Sequence, residues 1–142
     1  KNCNYNCLYY FATPLIYRQK NIKFDKKIFR DFNNIYSKAL IKIIKSLKIK
    51  NLIIFYPSTV YNFRKNKNFS EYIHAKRDGV NKLKNMERKF KIVPVIKKLP
   101  PFKTDQNNTI FSQNISHGTN EIFKICIEIE RKIYTNELIK TK

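Results

Sequence analysis

Residues 51–83 read NLIIFYPSTVYNFRKNKNFSEYIHAKRDGVNKL, and this stretch decides the fold. Its opening run, Asn51–Tyr56, is apolar without alternation, the pattern of a strand buried on both faces of a parallel sheet. The middle, Arg64-Lys65-Asn66-Lys67-Asn68, is a polar, basic loop. From Ser70 through about Lys89 the pattern becomes that of an amphipathic helix, with Ser70 placed to cap its amino end. A buried strand passing through a loop into an amphipathic helix is the first part of a β-α-β crossover, which requires another parallel strand beyond it.

Working outward, Cys7–Ala12 (CLYYFA) predicts a strand that ends at Thr13-Pro14, because Pro14 cannot continue a ladder. Phe24–Ser46 predicts a helix, with Ile28, Phe32, Ile35, Ala39, Ile43 and Leu47 on one stripe and Asp25 complementing the helix dipole. Downstream, Lys91–Lys97 alternates as a third strand, in which Pro94 is expected to interrupt pairing. Residues 100–118 are polar and irregular, and a last helix over about Thr119–Thr135 aligns Ile122, Ile125, Ile129 and Ile133. The expected fold class is α/β: a partial Rossmann-like, three-layer fold with a mostly parallel sheet and right-handed crossovers. No internal repeat is present.

The chemistry sits in the same stretch. Tyr72 and Lys76 are four residues apart, so on a helix they share a face and can point into one pocket. A phenol titrating near pH 10 is a poor base at neutral pH, and a cation beside it lowers that value toward the range of general acid–base catalysis. Ser58 follows the strand, and a hydroxyl at the carboxyl end of a strand lies at the crevice where open α/β sheets bind ligands. Thr59 offers a second hydroxyl there. The plainer reading makes Tyr72 an amphipathic residue at a helix start, Lys76 part of a solvated face, and Ser58 a turn residue.

The order Ser58, Tyr72-x-x-x-Lys76 resembles the short-chain dehydrogenase/reductase superfamily, and Asp31-Phe32-Asn33 resembles the Asp-x-Asn of its preceding helix. PSTVY (Pro57–Tyr61) and SEYIHAKRDGVNKL (Ser70–Leu83) are similar to the NAD-dependent epimerase/dehydratase-type members, and IVPVIKKLPPFKTDQ (Ile92–Gln106) to their next strand and proline-bearing loop. The resemblance covers roughly residues 7 to 106. It implies a catalytic set of Tyr72, Lys76, Ser58 and Asn33, with Asn34 an adjacent alternative to Asn33. For the cofactor, NAD or NADP, it implies contacts from Thr13, Lys76, Pro100 and Thr104. It further implies a small-molecule substrate, such as a sugar nucleotide, and a homodimer. The superfamily's Gly-rich turn, which brings backbone against a pyrophosphate, is absent, because the two glycines are Gly79 and Gly118. The chain, which begins with Lys, is therefore expected to be the C-terminal, catalytic half (residues 1–142) of such an enzyme. The alternative is a non-catalytic binding module with the same framework.

Composition bounds the alternatives. With 142 residues, 42% hydrophobic and 14% aromatic, the chain can build one real core. The formal charge of +20 suggests nucleic-acid binding. Yet Lys outnumbers Arg 24 to 6 and is spread from end to end beside 17 Asn and 21 Ile, a pattern of biased codon supply more than a selected patch. Arg would be favoured where bidentate phosphate or base contacts mattered, so no specific nucleic-acid partner is expected. Three cysteines without framework spacing and two histidines supply no zinc site. With no membrane span or signal peptide in view, the expected location is cytoplasmic.

Overall fold

The apolar run at residues 51–56 becomes the centre of a sheet. The computed structural model describes residues 6–16, 23–61, 67–100 and 119–140. Three strands, β1 (Cys7–Tyr9), β2 (Ile53–Thr59) and β3 (Val93–Leu99), lie in that order and are all parallel. The protein is thus α/β, with a partial Rossmann-like sheet. Both faces of β2 are apolar, as its unalternating sequence requires. Ile54 and Tyr56 join a core with Leu40, Ile44, Leu83 and Met86. On the other face, Phe55 packs its ring against Tyr9 and Phe11. Burying each such aliphatic side chain contributes roughly 1.5–3 kcal/mol.

The strand prolines Pro57 and Pro94 sit where no ladder hydrogen bond is lost. Pro94 does not interrupt β3, which pairs continuously with β2 from Ile53↔Val93 to Thr59↔Leu99. Val93 donates its N–H to Leu52, so the next residue, Pro94, directs its donorless nitrogen away from β2. Pro57 is tolerated in the central strand for a related reason. Ile53 and Phe55 bond toward β1, through Ile53 N to Asn6 O and Tyr10 N to Phe55 O. Pro57 faces that same side beyond the last pair with β1, Tyr9↔Phe55, where no strand asks for an N–H.

One helical stretch joins β1 to β2: α1 (Lys26–Asn33), a π-helical segment (Asn34–Ala39) and α2 (Leu40–Leu47). Asp25 caps α1 by accepting from Lys27 N at 2.7 Å and Ile28 N at 3.2 Å. The wider π turn shifts the apolar stripe away from its expected course. Instead of Ile35, Ala39, Ile43 and Leu47, the buried apolar positions after Phe32 are Tyr36, Leu40 and Ile44, with Ser37 buried beside Tyr36. Two carbonyls of the widened segment accept from tyrosine hydroxyls: Tyr10 donates to Ile35 O at 2.6 Å and Tyr56 to Tyr36 O at 3.1 Å.

Helix α3 (Ser70–Phe90) packs on α1, the π segment and the sheet. Ser70 is its first helical residue and not its cap; its hydroxyl donates to Glu71. The buried Glu71 carboxylate accepts from Asp25 N at 2.7 Å, which ties the starts of α1 and α3 together. Gly79 marks the closest approach, since a Cβ there would collide with the Tyr56 hydroxyl and stand 2.5 Å from the Tyr36 carbonyl oxygen. Both α2 and α3 end in left-handed lysines, Lys48 and Lys91, at φ 51° and 50°.

By contacts the chain divides into two units, Lys1–Leu99 and Pro100–Lys142. In the second, α4 spans Thr119–Lys140, five residues beyond the expected end at Thr135, and Ile125 and Ile129 of its isoleucine stripe are buried. Among the described residues, no helix is long and apolar enough to cross a membrane.

Candidate active site

Lys76 lies on the face of α3 that turns toward the carboxyl end of β2, and it is only 5% exposed. Because β1 stops short of Pro57, the Pro57 carbonyl has no strand to bond, and the Lys76 ammonium donates to it at 2.7 Å. The same nitrogen stands 4.1 Å from the centre of the Tyr36 ring and 5.0 Å from that of Tyr56. Among the described residues no carboxylate pairs with it. Burial therefore dominates and pulls the Lys76 amine down to about 7.

One turn earlier, Tyr72 packs its ring edge-on against Phe32, Tyr36 and Tyr61. The Thr59 hydroxyl acts on its phenol in the direction that favours the phenolate. Thr59 Oγ1 accepts from Tyr61 N at 3.1 Å, which leaves its own O–H available as a donor. Burial raises the Tyr72 phenol above its ordinary value, and the Thr59 bond opposes that rise. The direction is the reverse of the lowering expected from a neighbouring cation. The Lys76 nitrogen is directed onto the faces of Tyr36 and Tyr56 and onto Pro57, so desolvation decides the balance at Tyr72.

Tyr36 joins these parts and was not singled out in the sequence. Fully buried, it lies on Lys76, touches Tyr72 with ring centres 5.7 Å apart, and shares a 2.5 Å hydrogen bond with Thr13. Burial pushes its phenol well above the usual tyrosine range. The apolar stripe anticipated for that helix passed through Ile35; only the π segment brings Tyr36 inward. No signal in the linear pattern announces that segment.

Of the residues expected to act together, Tyr72, Lys76 and Thr13 meet around Tyr36. Ser58 lies elsewhere: it is the penultimate residue of β2, paired with Lys98, and lines a groove of about 460 Å³ beside α3. Thr59 borders that groove and also bonds Tyr72, so it is the hydroxyl that links the two places. Asn33 ends α1 with its side-chain oxygen buried and without a hydrogen-bond partner. Pro100 is exposed just after β3, and Thr104 lies outside the described residues. His74 is exposed, with its ring edge-on to Phe24 and Phe29. Among the described residues no group of three His, Cys, Asp or Glu side chains is placed to hold a metal.

The chain matches no protein-family model, no curated protein and no solved structure.

Proposed function

We propose that this chain carries the acid–base half of a nicotinamide-dependent oxidoreductase or epimerase/dehydratase of the short-chain type, with Tyr72 exchanging a proton with a substrate hydroxyl or carbonyl. The observation that carries the reading is the Tyr72–Thr59 hydroxyl pair at the carboxyl end of the central parallel strand, with Lys76 buried one turn along α3. Thr59 takes the place expected for Ser58. Its single O–H orients the phenol, whose own O–H is left for the substrate oxygen. Lys76 adds a positive charge one turn from the phenol when its amine is protonated, and Tyr36 keeps water from that amine.

The residues present fit the ribose end of a nicotinamide nucleotide only in part, since the Thr13 hydroxyl is exposed while the lysine nitrogen lies under Tyr36. Thr13 would hold that ribose, Lys76 would join it only with the Tyr36 ring displaced, and the nucleotide would supply the hydride chemistry. In this reading the protein works in the cytoplasm on a small molecule and pairs with a second copy of itself.

A kinetic comparison of variants tests the proposal. In the intact enzyme, with NAD(P)H and a carbonyl substrate, Tyr72→Phe abolishes turnover while nicotinamide affinity stays nearly intact. Thr59→Val lowers turnover more than Ser58→Ala does. Activity retained within a few-fold in Tyr72→Phe removes the phenol from the mechanism.

A second reading has an observation of its own. Lys76 spends a donor on Pro57, and the Tyr72 phenol is raised, not lowered. Both suit a framework module that binds without turnover. Full nicotinamide affinity in a protein that turns over no carbonyl substrate favours this second reading.

A further inference from the structure

The groove beside α3 has a chemical character that the acid–base reading does not use. It holds about 460 Å³ between α3 and the carboxyl halves of β2 and β3, which lies within the roughly 300–1,000 Å³ of small-molecule sites. Two cations border it from opposite walls, Arg77 on α3 and Lys98 on β3. Four polar groups, Ser58, Thr59, Tyr61 and Asn81, lie between and around them. Ile73 and Val80 form an apolar strip along one side. None of the described lining residues is an Asp or Glu.

The placement of these groups follows from the fold. Ser58 and Lys98 are register partners on adjacent parallel strands, so their side chains rise side by side from the same face of the sheet. Arg77 and Asn81 are four apart on α3 and line that helix's flank one turn after another. Arg is scarce here, 6 of 30 basic residues, and its planar fork suits a phosphate better than a lysine does. Thr59 belongs to both places, so a ligand in the groove touches the hydroxyl that holds Tyr72.

We infer that this groove binds the substrate, and that the substrate is a small polyhydroxylated molecule carrying a single phosphate. Arg77 and Lys98 hold the phosphate, while Ser58, Thr59 and Asn81 take the hydroxyls. The volume suits a monosaccharide phosphate. The inference rests on the acid–base reading for the word substrate; the binding site itself does not depend on it.

Calorimetric titration of the chain with glucose 6-phosphate, glucose and inorganic phosphate tests it. Glucose 6-phosphate binds most tightly, inorganic phosphate more weakly, and glucose not measurably. Arg77→Gln and Lys98→Gln each lower glucose 6-phosphate affinity by about tenfold, the scale of a lost charge-assisted hydrogen bond. Ser58→Ala weakens the sugar phosphate but leaves inorganic phosphate unchanged. Lys84→Gln, an exposed charge removed from the same helix outside the groove, leaves affinity within about twofold. All four positions are at least partly exposed, and circular dichroism confirms that each variant folds.

Equal binding of glucose and glucose 6-phosphate overturns the inference. So does a Lys84→Gln loss as large as that of Lys98→Gln, because attraction by net charge then explains the binding. Turnover of the unmutated protein, measured beside its binding, separates the two readings. Glucose 6-phosphate bound normally by a protein without turnover sinks the catalytic reading and leaves the groove. Turnover of carbonyl substrates without any binding of the phosphate ester sinks only the groove.

Discussion

At the scale of single residues, Gly79 and Lys76 show how closely α3 is fitted to its neighbours. Alanine is the better helix former by roughly 1 kcal/mol, so Gly79→Ala would stabilise an isolated α3. In the protein the added methyl meets the Tyr56 hydroxyl and the Tyr36 backbone, neither of which is the loose end of a flexible chain. Overpacking of this kind costs about 1–3 kcal/mol, so Gly79→Ala lowers the urea midpoint. A midpoint at or above that of the parent chain shows that the contact yields. Lys76 makes stability depend on pH. Its folded-state value of about 7 lies below the ordinary 10.5, so between those values the unfolded chain binds the extra proton and stability rises with pH. The buried tyrosines, with folded values raised, oppose the trend only near and above their ordinary 10.0. Unfolding free energy therefore climbs from pH 7 to about 9.5 in the parent chain and less steeply in Lys76→Met. Equal slopes in the two proteins refute an amine held near neutrality.

At the scale of elements, most of the fold was legible. The strand within residues 51–59, the helix from Ser70, the parallel sheet and the last helix all follow from period and propensity, while residues 62–66 of the expected loop lie outside the described residues. Two of the departures have one physical source each. Pro94 was read as an interruption because a sequence does not show which way a strand residue turns its nitrogen; an edge strand makes that direction harmless. The stripe on the first helical stretch was misplaced because a π turn adds a residue that no local pattern marks, and Tyr36 was lost with it. The site was half legible for the same reason. Spacing alone puts Tyr72 and Lys76 on one face, but which strand-end hydroxyl reaches them depends on twist, and Thr59 rather than Ser58 does so. The helix ends carry a further expectation. Lys48 and Lys91 occupy left-handed positions that glycine fills without the Cβ penalty of about 1–2 kcal/mol. Lys48→Gly and Lys91→Gly should each raise stability by up to about 1 kcal/mol in chemical denaturation. A loss instead shows that these lysine stems contribute packing that outweighs the strain.

At the scale of the whole molecule, a charge of +20 governs what the protein touches before any site acts. Binding to DNA or heparin at low salt is expected to be sequence-indifferent and to fall steeply as salt rises, since counterion release drives it. Competition between two unrelated duplexes at several salt concentrations measures this; a strong preference for one that survives high salt contradicts it. The same field draws phosphate esters toward the groove beside α3, which is why the Lys84→Gln control matters there.

Tyr36 has one further consequence. Its hydroxyl is held by Thr13, in the segment after β1, while the face of its ring covers the Lys76 nitrogen. The ring thus fastens the segment after β1 to the cation of α3. Thr13→Val, which removes that fastening, is expected to loosen the shield over the amine and raise its affinity for protons.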